Sequence, residues 1–167
     1  MAATEVISVP ISTIGAKIGY GLESTSGSKP ATFTQILGVK TISAVNSEPE
    51  QLETTDLSQT QFKTYIPGLM DPGGTLTLTC NLDDNFQTQW EGIVSAAATG
   101  RASKLRCWFE IKLANMTKAF FVVGVPANLG INEVGVNAVS EVDAYVTLEE
   151  TKGWDTAVTI SPYTTGA

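Results

Sequence analysis

The stretch EPEQLETTDLSQTQFKTYIPGLMDPGGTLTLTCNL, residues 48–82, decides how this chain is read. An acidic opening around Pro49 leads into polar and aromatic residues that show no regular hydrophobic period and end at Pro67-Gly68 and Asp71-Pro72-Gly73-Gly74. A strand follows at once, with Leu76, Leu78, Cys80 and Leu82 in one phase and Thr75, Thr77, Thr79 and Asn81 in the other. A long aperiodic connection, about residues 48–72, is uncommon inside a compact domain and marks a functional or partner-binding loop.

Working outward, the flanks fill in a strand-dominated chain. Toward the N-terminus, Ile14, Ala16, Ile18, Tyr20 and Leu22 alternate with Lys17 and Glu23 on the opposite side, which gives a half-buried strand. The segment 24–30, STSGSKP, is a turn. Residues 32–44 hold one or two strands, with Gly38 as a bulge or bend. Residues 1–14 read as an arm ordered only when packed on something.

Beyond the Thr/Leu strand lies the one helix, at about residues 85–98. Asp84 is its expected N-cap with Gln87 at the capping-box position, and Gly100 its stop. Phe86, Trp90, Ile93, Val94 and Ala97 form its apolar stripe. Leu105, Cys107, Phe109, Ile111 and Leu113 then alternate with Lys104, Arg106, Trp108, Glu110 and Lys112, and residues 118–126 are apolar enough for a strand covered on both faces. Val134, Val136 and Ala138, then Val142, Ala144, Val146 and Leu148, keep one phase as a bent strand or two joined at Ser140. Thr151-Lys152-Gly153 reads as a turn into a last strand from Trp154 to Ile160, and residues 161–167 as a free tail. About seven to nine strands with one packed helix make a single mainly-β domain, a sandwich or partly closed barrel.

In order and spacing, the acidic Pro49 segment, Leu52 to Ser58, Thr64 to Asp71 and the Thr/Leu strand resemble the major tail (tail tube) proteins of long-tailed bacteriophages. The resemblance implies a β-sandwich that forms six-membered rings stacked into a hollow tube, located in the virion tail and assembled in the host bacterial cytoplasm. It also implies a tape-measure protein and tail terminator or tip proteins as partners, and genome DNA passing through without specific binding. A secretion-system tube protein would share that fold.

Composition bears on the alternatives. With 17 acidic against 10 basic residues, the net charge of −7 argues against tight phosphate binding, which needs clustered Lys and Arg. The chain has no histidine, so the commonest general base and metal ligand is missing, and no catalytic, cofactor or metal residues are assigned. Asp83-Asp84-Asn85 is explained by helix capping better than by calcium. The carboxylates Glu48, Glu50 and Glu53, or Glu141 and Asp143, would serve a glycosidase only in a geometry that spacing does not supply. Cys80 and Cys107 read as buried free thiols. The N-terminus lacks a signal-peptide pattern, and the longest apolar run is too short to span a bilayer as a helix, so no membrane is expected. A carbohydrate-binding β-sandwich is the runner-up, and it would require Trp90, Trp108 and Trp154 to form a platform. Trp108, on a charged strand face, is either covered by the helix or a contact.

Only 16% of residues are charged while 43% are apolar, so the edges of long Thr/Val-rich strands have few gatekeepers and are open to pairing with copies of the chain. The long loop, through Glu50, Leu52, Thr54, Phe62, Tyr65, Ile66 and Leu69, is the expected arm between subunits. Glu141 and Asp143 are the expected lumen lining, where negative charge would repel a passing duplex.

Overall fold

The computed structural model describes residues 8 and 10–164. Its elements are β1 (Lys17–Leu22), β2 (Phe33–Gln35), β3 (Val39–Ile42), β4 (Pro49–Glu53), β5 (Tyr65–Met70), β6 (Thr75–Asn81), α1 (Asp84–Ala102), β7 (Cys107–Lys112), β8 (Lys118–Pro126), β9 (Glu141–Thr156) and β10 (Ile160–Ser161). Eight strands form one curled, partly closed sheet in the order β10-β2-β1-β7-β8-β9-β6-β3, while β4 and β5 make a separate ladder. All neighbours in the large sheet are antiparallel except β10, which runs parallel to β2.

Curling has a local cause in β8 and β9. Phe121 opposes Gly153 but Val122 opposes Thr151, and Val123 opposes Glu150 but Gly124 opposes Leu148. Each step leaves one extra residue on β9, a bulge that bends and twists the strand. Gly153 sits at φ 78, a conformation that costs a side-chain-bearing residue about 1–2 kcal/mol. Thr151-Lys152-Gly153 is therefore a bulge within one continuous strand, and no turn separates off a strand from Trp154 to Ile160. The expected strand through Val134, Val136 and Ala138 is also absent. Both sides of β9 are already taken by β6 and β8, so residues 127–140 lie beyond the sheet without regular structure.

The main core fills the concave side. Leu76, Leu78 and Cys80 pair across with Val146, Ala144 and Val142, all at most 1% exposed, so the Thr/Leu alternation does place one phase inward. Helix α1 covers this surface with Phe86, Trp90, Ile93 and Ala97. Its cap is Asp83, whose carboxylate accepts from the Phe86 N–H at 2.7 Å, one residue earlier than the expected Asp84. The helix also passes Gly100 and runs to Ala102. Lys104 takes the left-handed position at φ 61, while the Leu105 N–H bonds Gly100 O and the Lys104 N–H bonds Arg101 O, a Schellman closure. Buried Gln89 bonds Gln35 O and the Leu37 N–H, and Trp90 Nε1 donates to Ala127 O, which anchors the helix to two distant segments.

A second cluster lies on the opposite face of β1, β7 and β8. Trp108, Phe121, Phe33, Ala119 and Val123 are buried there beneath Ala157, Val158 and Ile160. Trp108 belongs to this cluster and not to the one under the helix, with Lys152 Nζ 5.4 Å from its ring centroid and Phe121 edge-on to it, so the charged phase of β7 is half interior. Glu23 and Glu110, expected outside, are buried with it. Glu23 accepts from Trp108 Nε1 at 2.8 Å and from the Gly27 and Arg106 N–H groups, and these bonds hold its pKa below the ordinary range against desolvation. Glu110 Oε1 accepts from the Val158 N–H at 2.9 Å, while Oε2 has no protein partner among the described residues. Ser161, expected in the free tail, belongs to β10; what was expected of residues 1–7, 9 and 165–167 lies outside the described residues.

Desolvation raises the Glu110 pKa, opposed by the Val158 N–H and by Lys29 and Lys112. A raised carboxyl contributes stability that is fully present below its ordinary value of 4.5 and is lost as pH rises through the folded value. Glu110→Gln should therefore melt with wild type at pH 4 and be more stable at pH 8, by on the order of 1 kcal/mol. Thermal melts at the two pH values check this, and an equal difference at both would contradict it.

Candidate assembly surface

The stretch read as an irregular loop carries its own ladder. β4 and β5 pair with Gln51 opposite Pro67, Leu52 opposite Ile66 and Glu53 opposite Tyr65, and a bulge follows Pro49. Two prolines and that bulge break the alternation in sequence, and with both faces in water no apolar phase is needed. The ladder continues as the Thr54 N–H bonds Thr64 O at 2.8 Å and the Thr64 N–H bonds Thr55 Oγ1 at 2.9 Å. At the tip, Asp56 accepts from the Ser58 hydroxyl and N–H, which lowers its pKa. At the base, Gly73 and Gly74 at φ 96 and 76 turn the chain into β6, and the Leu148 N–H bonds Gly74 O. The hairpin is thus fixed at its root.

Among the described residues it is hydrogen-bonded to the body nowhere else. β4 and β5 bond no strand of the large sheet. Every interface residue expected from sequence is on this hairpin and exposed: Glu50, Leu52, Thr54, Phe62, Tyr65, Ile66 and Leu69, with Phe62 at 78% and Leu69 at 86%. Leu57 and Met70, not singled out from sequence, are exposed beside them. An isolated two-stranded hairpin is at best marginally stable in water, and clustered exposed apolar side chains mark interaction surfaces. A second apolar surface was missed entirely. Ile131, Val134, Val136 and Val139 stand exposed on the 127–140 segment, where the alternation of the valines had pointed to a strand.

The expected lumen residues occupy a different face. Glu141 pairs with Lys40, and Asp143 accepts from Thr79 Oγ1 at 2.9 Å. Asp143, Tyr145 and Thr147 share one side of β9 with Thr75, Thr77 and Thr79 of β6, the side turned away from α1. The structure does not bring these carboxylates to the hairpin.

Other chemistry finds little support. Trp90 and Trp108 are buried and only Trp154, at 53%, is exposed, so the three form no sugar platform. Among the described residues no cluster of three or more His, Cys, Asp or Glu could hold a metal, and no helix is long and apolar enough to cross a membrane. Cys80 and Cys107 are buried and unpaired, with burial pushing both thiols up to about 12.

No family model matches the chain, and no curated protein matches it. Its fold, however, is shared by solved structures. A chain of the anti-feeding prophage baseplate superposes with a TM-score of 0.60 at 10% identity, covering 90% of this chain and 97% of its own. A chain of the anti-feeding prophage tube-terminating cap gives 0.60 at 13%, covering 93% and 97%. One from the sheath/tube terminator of an extracellular contractile injection system, in its extended state, gives 0.61 at 11%, covering 87% and 97%. The chain therefore shares its fold with components of the anti-feeding prophage and of an extracellular contractile injection system.

Because the hairpin bonds nothing but itself and its root, replacing residues 50–69 by a short Gly/Ser linker should change the stability of the monomeric body by less than about 1 kcal/mol. Chemical denaturation of the dispersed protein measures this. A loss several times larger would show that the hairpin supports the sheet.

Proposed function

We propose that this chain is a structural, self-assembling tail tube subunit, which forms stacked rings and thereby a conduit for genome delivery. The observation that carries the reading is the hairpin of residues 49–70, rooted in the body and left with its apolar side chains in water. Such a surface is completed by a neighbouring copy. The likeness to injection-machine components supports the same direction, and so do the sheet's two edges, β3 and the two-residue β10. Copies added with a constant rotation give a heterologous contact that closes into a ring. In this reading Glu50, Leu52, Thr54, Phe62, Tyr65, Ile66 and Leu69 form the contact between rings. Glu141 and Asp143, on the Thr-rich face turned from α1, contribute to an acidic lining that repels the duplex. The chain performs no catalysis and holds no cofactor; its mechanism is polymerisation, with a tape-measure protein setting length and terminator or tip proteins finishing the ends.

A second reading is favoured by the cap and terminator structures among the neighbours. The chain would then end a tube with one ring rather than build it. Growth separates the two. Concentrated wild-type protein seen by negative-stain microscopy should give hollow tubes of uniform width, and the hairpin-replaced variant only folded, dispersed particles. Single rings that never elongate would favour the terminator, and monomers at every concentration would contradict both. Reversing Glu141 and Asp143 to Lys should leave tubes intact but reduce genome delivery in an infectivity assay; unchanged infectivity would remove them from the lining.

A further inference from the structure

An open groove of about 760 Å³ lies on the body where the β2–β3 connection meets β1, β7 and β8. Its partly accessible apolar lining includes Val39, Ile42, Ile111 and Phe120, above the buried Ile18 and Ile36, with Lys17 and Lys40 as its charged groups and no carboxylate. Lys40 is paired with Glu141, whereas Lys17 makes no ion pair among the described residues. An apolar floor with a basic rim is unusual on a chain of net charge −7. It needs an occupant that is apolar at its centre and acidic around it.

The hairpin has that chemistry. Residues 48–72 carry five carboxylates, Glu48, Glu50, Glu53, Asp56 and Asp71, against the single Lys63. Its tip presents Leu57 fully and Phe62 largely to solvent. At about 3.3 Å per residue, strands of this length carry the tip roughly 17 Å from its root, enough to leave its own body's surface. We infer that the groove is the acceptor for the hairpin of a second copy, with Phe62 seated on the apolar floor and Glu53, which pairs with Lys63 across its own hairpin at 3.1 Å, turned toward Lys17 on docking. This inference rests on the tube reading and names the surface that receives the hairpin from the next ring. Apolar burial supplies the affinity, and the opposed charges set orientation and exclude the reverse docking of two acidic hairpins.

Two measurements test it. Lys17→Glu and Glu53→Lys should each raise the protein concentration needed for tube growth about tenfold, and the double variant should return it toward wild type. In Gln61→Cys combined with Leu113→Cys, a lining residue of the groove away from Cys80 and Cys107, mild oxidation of assembled protein should give disulfide-linked dimers and higher multimers on a non-reducing gel. The native Cys80 and Cys107 are buried thiols with pKa values pushed up to about 12, so they stay silent. Melting curves confirm that each variant is folded, and the crosslink does not depend on the charge variants. Tubes unaffected by either reversal and lacking intermolecular crosslinks would overturn the groove as acceptor while leaving the tube reading in place. Crosslinks confined to single chains would assign the groove to another occupant and also overturn it. A wild type that forms no tubes, together with no crosslinks, would overturn both.

Discussion

A ladder of two strands with water on both faces buries too little apolar surface to offset the chain entropy it fixes. The β4–β5 hairpin is such a ladder, and its constraint organises the rest of the molecule. The body must be complete without it, and the hairpin must find its burial elsewhere. Both conditions are visible. The sheet closes its concave side with α1 and part of its other side with residues 157–161, so that β8, at its centre, is interior on both faces through Phe121, Val122 and Val123. Rigid attachment at Gly73, Gly74 and the Leu148 N–H then fixes the direction in which the hairpin stands.

The two cores differ in what holds them. The main one is almost purely apolar, and its polar atoms serve as anchors: Gln89 to β2 and its following turn, and Trp90 to Ala127. The second is closed by buried carboxylates. Glu23 is fully engaged by Trp108, Arg106 and Gly27, but Glu110 satisfies only one of its oxygens on Val158. Leaving a buried acceptor unmatched costs more than a missing surface contact, so Glu110 is where the second core gives up stability.

Much of this was legible in sequence where one side chain period met one buried face. The Thr/Leu strand and the helix stripe from Phe86 to Ala97 are of that kind, and the run at 118–126 was legible by the opposite sign, an unbroken apolar stretch covered on both faces. Failures share a cause: the deciding partner lies far along the chain. Trp108 and Glu110 look solvent-facing because Lys152 and Val158 reach them from the far end of the chain, and Val134 to Ala138 look like a strand because nothing local shows that both sides of β9 are occupied. Bulges at Glu149 and Lys152 hide a continuous strand behind a turn-like Gly153. At the candidate site, composition and length singled out the hairpin residues, which stand exposed, while the pairing of β4 with β5 was concealed by Pro49, Pro67 and the absence of any buried phase.

The central claim is that the hairpin acquires its burial only from another copy. Hydrogen–deuterium exchange, compared between dispersed and assembled protein, addresses it directly. The account predicts that amides of residues 49–70 exchange fast in the dispersed form and become strongly protected on assembly, while those of β8 and the middle of β9 are slow in both. Equal exchange of residues 49–70 in the two forms would contradict it.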